Sequence, residues 1–321
     1  MLSRLIIKLN KGGTNEKSHY TELKFRTFKD LLSHYNEIKK DEKRMEHFIS
    51  LNSVLHEYLK DQLIPNTAEL LSIYGKMVIN TFNILDAEMQ SIGSGLYLAA
   101  SVIDHSCAPN AVAVFEGRKI YIRTLCDIPS LNWMNVYISY IELLNLPTVR
   151  QKELQSLYYF LCECSKCLDI DEFRRMTATF CQNEDCNECV LGDTEEIIIK
   201  CNLDICKICL EKQKKLLYPT NIYNVKILDL AMESCIALEN WEGALFYGKQ
   251  LLEPFRSYYG EQHPLRGIFL MKLGKIGLLL DYVEEAKQYF AEASSILLTT
   301  HGCKHPLVKD ELCNYMKQCQ V

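Results

Sequence analysis

Four cysteines that are distant in the chain but suited to meet in space restrict the fold more than any other feature. Cys162-x-Cys164-x2-Cys167 puts three thiols in one tight loop. A structural zinc ion takes four soft ligands at tetrahedral corners about 2.3 Å away, so three local thiols require a fourth from elsewhere. Cys107 is the best candidate, because Ser106-Cys107-x-Pro109-Asn110 makes a sharp turn whose proline and asparagine fix the local geometry. Such a chain must thread back across more than fifty residues, with a strand ending at Tyr140 in between, and be locked by a metal. The competing reading makes Cys107 a small core residue and leaves the trio without an ion.

Nine of the fifteen cysteines fall between Cys162 and Cys209, which concentrates metal chemistry there. After the first cluster come Cys181-x4-Cys186-x2-Cys189 and Cys201-x4-Cys206-x2-Cys209, separated by a strand at Ile197-Ile198-Ile199. Two knuckles, Cys186/Cys189 and Cys206/Cys209, are the conventional ligands of a zinc ribbon, with Cys181 and Cys201 as alternates. Several exposed thiols without an ion would be an oxidation liability. The opening stretch from Met1 to Asn10 is broken by charge and has no small-residue cleavage site, so it does not read as a signal peptide. This cysteine density therefore points to thiolate ligands in a reducing compartment rather than to disulfides.

The chain of 321 residues has room for two or three compact units. No run of about 18 apolar residues occurs, so no membrane partner is expected. A formal charge of -5 and a pI near 6.0 leave no basic footprint for direct nucleic-acid reading. From Tyr20 to about Tyr74 apolar residues recur at helical spacing, among them Phe28, Leu31, Leu32, Tyr35 and Ile38, which predicts two or three helices. Lys39 to Arg44 reads as a solvated face. Pro65-Asn66-Thr67 stops one helix and caps the next, which runs from Leu70 to Asn80.

Between Gly93 and Tyr140 the segments shorten. Gly93-Ser94-Gly95 breaks the chain, Ala111 to Phe115 and Lys119 to Leu125 form a hairpin around Glu116-Gly117, and Asn135 to Tyr140 is a third strand. Thr148 to Tyr159 is helical again. Beyond Pro219 a repeat emerges at a shift of 42 residues: Gly260, His263, Pro264 and Leu265 recur as Gly302, His305, Pro306 and Leu307, and Ala244 and Tyr247 as Ala286 and Tyr289. A period in this range with paired amphipathic helices marks a tetratricopeptide-like solenoid. Helices are predicted near 222–238, 242–256, 264–280, 284–298 and 306–319, so the fold class is α+β.

The ordered set Asp86-Ala87-Glu88-Met89-Gln90, Gly93-x-Gly95-Leu96-Tyr97, His105-Ser106-Cys107-x-Pro109-Asn110, Ile138-Ser139-Tyr140 and Tyr159-Phe160-x-Cys162-x-Cys164-x2-Cys167 resembles the SET and MYND domain protein-lysine methyltransferases. The likeness runs over nearly the whole chain. It implies an inserted helical region over 1–79, a small β-rich SET core over 80–142, a zinc-bound post-SET segment over 143–168, the cysteine-rich ribbon over 169–215 and a tetratricopeptide-like domain over 216–321. It also implies transfer of a methyl group from S-adenosylmethionine to a lysine of a histone or another protein.

In that family the lysine enters an aromatic channel from one side and the cofactor docks from the other. Lysine, near pKa 10.4, must lose its proton to attack, and an apolar channel lowers that pKa by desolvation. Aromatic walls favour the methylammonium product through cation–π contact. By resemblance Phe82, Tyr140 and Tyr158 line the channel, and the Tyr140 hydroxyl lies near the transferring methyl and the cofactor. Phe160 stacks on the adenine, Asn80, Asp104 and His105 hold the rest, and His34 matches a cofactor-contacting position in the inserted helices. Taken singly, a strand-ending tyrosine reads as core and a solitary His105 as structural; the joint pattern is what assigns them roles.

Three departures stand out. The family's glycine-containing cofactor loop and MYND finger lie N-terminal to the region where this chain starts, so weak or absent cofactor binding is expected. Asp104 replaces the usual asparagine and cannot donate a hydrogen bond. Ser130 to Asn135 replaces a Gly-Glu-Glu turn. The alternative from another class is a non-catalytic adaptor binding peptides through the helical repeat. The resemblance further implies cytoplasmic and nuclear residence, a monomer, and chaperone or other peptide contact through the repeats.

Overall fold

Four helices at the start of the chain cover a core that the apolar spacing builds. The computed structural model describes all residues except 61, 130–131, 181–188, 192–202, 215 and 320–321. Helix α1 (Leu2–Asn10) forms because Leu2 and Ile6 share one face and are buried by it. The segment from Tyr20 to His34, expected to be helical, instead carries β2 (Phe25–Arg26), which pairs antiparallel with β1 (Ser18–His19) just before it, and a 3-10 turn at Phe28–Asp30. The Asp30 carboxylate explains the turn: it accepts from both Thr27 N (2.7 Å) and Thr27 Oγ1 (2.8 Å), a local bond that competes with helix propagation. Helices α2 (Tyr35–Lys40), α3 (Glu42–Tyr58) and α4 (Thr67–Asn80) follow. Asn66 caps α4 by accepting from Glu69 N at 3.0 Å.

Next comes the β region. Strands β3 (Thr81–Leu85) and β4 (Ser91–Leu96) pair antiparallel, with Phe82 opposite Gly95. Gly93-Ser94-Gly95 is thus part of a strand rather than a break. Gly95 is needed there because a Cβ would come within 2.6 Å of the Tyr97 ring. Strand β5 (Asp104–His105) precedes the expected hairpin of β6 (Ala111–Glu116) and β7 (Lys119–Thr124). The predicted third strand is shorter than expected: only β8 (Tyr137–Ile138) pairs, parallel to β5. It stops before Tyr140 because the Tyr140 N–H turns to a side chain, His105 Nδ1, at 3.1 Å.

Helix α5 (Pro147–Tyr158) starts on a proline and ends at Tyr159, whose φ of 62° is left-handed. One turn, α6 (Ser165–Leu168), shapes the cysteine loop, and α7 (Ile170–Thr177) leads into the antiparallel pair β9 (Ala178–Phe180) and β10 (Cys189–Leu191). Of the expected second zinc group, Cys181, Cys186 and Cys201 lie outside the described residues, as does Ile197-Ile198-Ile199. Cys189 opens β10, while Cys206 and Cys209 sit one turn apart on α8 (Leu203–Gln213), with Cys206 buried in the core of the helical region.

The rest is helical: α9 (Ile222–Ala237), α10 (Trp241–Tyr259), α11 (Pro264–Leu279), α12 (Val283–Thr300), a π-helical turn at Leu307–Leu312 and α13 (Cys313–Gln318). The repeated motif has a mechanical meaning. His263 Nδ1 accepts from Leu265 N (3.3 Å) and His305 Nδ1 from Leu307 N (3.2 Å), so each histidine caps the helical turn that its proline begins. Two bonds fasten this region to the β hairpin: His305 Nε2 donates to Phe115 O (3.1 Å) and Arg123 Nε to Thr299 O (2.7 Å). The fold is α+β, and among the described residues no helix is long and apolar enough to cross a membrane.

Candidate active site and metal centre

The loop after β5 carries Cys107 to the trio that follows α5. The sulfurs of Cys107, Cys162, Cys164 and Cys167 all lie within 4.8 Å of one another, and Cys107 Sγ is 3.5 Å from Cys167 Sγ. Tetrahedral zinc–thiolate bonds of about 2.3 Å put sulfurs about 3.8 Å apart, so four sulfurs within 4.8 Å of one another are close to the spacing such an ion takes. Their electrostatics point the same way. The neighbouring sulfurs of Cys164 and Cys167, together with burial, push the Cys107 thiol far above its ordinary range. Four sulfurs so close cannot all ionise unless a cation sits among them.

His105 joins this centre to Tyr140. Its Nδ1 accepts the Tyr140 N–H, so in the neutral ring Nε2 carries the proton, and Nε2 lies 3.2 Å from Cys107 Sγ. Burial lowers its pKa to about 4, which keeps the ring neutral. Both ring nitrogens are therefore engaged inside the protein. Only the ring face and main chain of His105 remain for a ligand.

Tyr140 borders a cavity of about 560 Å³, whose lining includes Asn80, Phe82, Tyr158, Glu142 and Tyr259. The Tyr140 and Tyr158 rings are 5.1 Å apart at 50°, and Phe82 stands edge-on to Tyr97 at 5.9 Å. Burial, and then the Asp104 charge, push the Tyr140 phenol well up; burial, and then the charge of neighbouring Glu153, raise the Tyr158 phenol as well. Both stay protonated. The Tyr140 hydroxyl donates to Ile103 O at 2.5 Å, so its free lone pairs can only accept.

The remaining sequence-predicted residues divide by position. Phe160 flanks the pair, 6.0 Å from the His105 ring and 6.5 Å from Tyr158. Asp104 is exposed on β5. Asn80 spends both amide hydrogens on Leu32 O (2.9 Å) and Lys76 O (2.8 Å). His34, left-handed at φ 44°, packs its ring 5.6 Å from Tyr159, between Tyr158 and Phe160 in the chain. Thus Asn80, Phe82, Tyr140 and Tyr158 share the cavity, whereas His34, Asp104, His105 and Phe160 lie outside its lining.

Sequence reasoning gave no role to four titratable residues of this cavity: Glu142, Glu153, Tyr259 and His263. Burial and Glu142 raise the Glu153 pKa. Tyr259 and His263 stack at 5.0 Å in the first copy of the repeated motif, whose second copy faces the β hairpin instead. The repeat itself was the available signal for them; the two glutamates had none.

A partly buried group of four thiols able to hold a metal ion, beside an aromatic, carboxylate-bearing cavity with room for a side chain, defines the site of this α+β protein. No family model matches the chain. It is 30% identical over 337 residues to the histone-lysine N-methyltransferase SMYD3 of Homo sapiens, covering 100% of this chain and 75% of that one. The histone-lysine N-methyltransferase ASHR1 of Arabidopsis thaliana is 27% identical over 353 residues, covering 97% and 72%. The N-lysine methyltransferase SMYD2 of Homo sapiens is 24% identical over 299 residues, covering 88% and 68%. The chain belongs to the SMYD family.

Proposed function

We propose that this protein is an S-adenosylmethionine-dependent protein-lysine N-methyltransferase acting on a histone or another protein. The observation that carries the reading is the Tyr140 hydroxyl, committed as donor to Ile103 O, at the edge of a cavity shared with Phe82 and Tyr158. An amine confined among these rings is partly desolvated and loses its proton more readily. The rings offer faces to a methylammonium product, and the carboxylates of Glu142 and Glu153 draw a cationic side chain inward.

When bound, S-adenosylmethionine supplies an electrophilic methyl group on sulfonium sulfur. Asn80 Oδ1, left free by its two donated bonds, and the Asp104 carboxylate suit an ammonium group, and Phe160 offers a ring face to an adenine. His34 would reach the cofactor from beside Tyr159. Zinc on Cys107, Cys162, Cys164 and Cys167 would fix the turn from which His105 holds the Tyr140 backbone. The relatives, all named as lysine methyltransferases, give no support to the peptide-binding adaptor alternative.

The test is incubation with isotopically labelled S-adenosylmethionine and core histones or an array of lysine peptides. Label on lysine that depends on Tyr140 supports the proposal. No incorporation by a protein shown to bind the cofactor refutes it.

A further inference from the structure

Arg150 is the largest fully buried side chain of the described residues, at 0% exposure. From α5 its Nη1 donates to Asn145 O (2.7 Å) and Leu143 O (3.4 Å), and its Nη2 to Lys166 O (3.4 Å). Its Nε has no hydrogen-bond partner. Among the described residues no carboxylate oxygen comes within 4.0 Å of the guanidinium. Carbonyl dipoles soften a buried positive charge without cancelling it, and an uncompensated buried ion is strongly disfavoured.

The compensation lies one layer away. Lys166, whose carbonyl Arg150 holds, sits inside the Cys164-x2-Cys167 loop. A divalent ion with four thiolates would carry two net negative charges in this partly buried site. The other nearby cation, Lys166, is already matched: its ammonium pairs with Glu172 at 3.5 Å and donates to Tyr258 O at 2.5 Å. Glu172 acts on both cations but contacts only Lys166, and one carboxylate cannot neutralise two buried cations, so Arg150 has no anion in contact until a metal–thiolate complex forms beside it.

We propose that Arg150 is the counter-charge of the metal centre, and that through the Leu143 and Asn145 carbonyls it ties that centre to the loop following Tyr140. This rests on the metal reading above. Coupling is reciprocal: the guanidinium raises metal affinity, and the complex stabilises the buried guanidinium. Arg150 is a positioning residue here, since it acts through the thiolates and the loop rather than on a substrate.

The test uses the whole chain and zinc as the probe, with affinity measured by competition against a colorimetric chelator. Arg150→Gln, which loses the charge, is expected to weaken zinc binding about 10–100-fold, the usual range for groups behind metal ligands, while Arg150→Lys stays within a few-fold of the unaltered chain. The rise in Tm on adding zinc should also be smaller in Arg150→Gln. Equal zinc affinity in Arg150→Gln, or equal losses in both variants, would overturn the proposal by showing that charge is not what matters. Should Arg150→Gln not fold, Arg150→Lys decides: folded and tight supports the proposal, whereas weak or unfolded overturns it. An unaltered chain that takes up no zinc would sink the metal centre itself, a result distinct from variants that bind as well as it does.

Discussion

Replacing Tyr140 by phenylalanine removes one oxygen and leaves the ring, so it separates chemistry from packing. The ring contacts with Tyr158 at 5.1 Å and His105 at 5.3 Å survive, as does the backbone bond from Tyr140 N to His105 Nδ1. What is lost is the donor to Ile103 O, in a residue 1% exposed. A buried carbonyl left without its donor costs about 1–3 kcal/mol, so Tm should fall by several degrees while the fold persists. Transfer should suffer more than stability. Loss of one oriented polar group at a reacting centre typically costs about 10²–10³ in rate, roughly 3–4 kcal/mol of barrier. Whatever cofactor affinity the unaltered protein shows by calorimetric titration, expected from the sequence to be weak, should change little, because Asn80, Asp104 and Phe160 are untouched. Single-turnover transfer of labelled methyl to a lysine peptide is the assay. Turnover within threefold of the unaltered protein would remove Tyr140 from the mechanism.

Other perturbations test the scaffold. His305→Ala loses a helix cap and leaves Phe115 O without its donor, for about 2–4 kcal/mol together; a shift in denaturation free energy below about 1 kcal/mol would contradict that reading. Elemental analysis should find zinc in the purified chain, and Cys107→Ser should lower its content; unchanged zinc would exclude Cys107 as a ligand. Burial holds His263 at about 3 and His301 at about 4, both below the unfolded value, so their stability contribution is complete above about pH 6.5 and is lost as pH falls toward those values. His301→Asn should flatten the decline in Tm over that window; an unaltered slope would show that His301 does not drive it. Asp229 has the opposite sign: burial and Glu233 raise it to about 6, so its contribution is present below about pH 4 and lost as pH rises through 6. Asp229→Asn should therefore raise Tm at pH 7–8 and give no gain near pH 4, a pattern thermal scans across pH would confirm or exclude.

Part of this molecule was legible because local rules produce it. The repeat at a shift of 42 residues led to helices whose observed bounds differ by only a few residues, since a helix start depends on nearby His-Pro chemistry and an apolar face. The hairpin of β6 and β7 followed from alternation and a glycine turn. Failures occurred where a local bond competed with periodicity: the Thr27–Asp30 bonds broke an expected helix, and the His105 ring ended β8 before Tyr140.

What the sequence determined by itself was the inventory: which thiols could share an ion, which aromatic residues were available, and where helices would begin. These depend on residue type and spacing along the chain. Only the tertiary structure decided that both nitrogens of His105 are engaged inside the protein, that Tyr259 and His263 of the helical repeat border the same cavity as Tyr140, and that Arg150 lies buried beside the cysteine loop. The physical reason is that burial, desolvation and the orientation of a hydrogen bond belong to surroundings assembled from distant segments, and no window of sequence contains them.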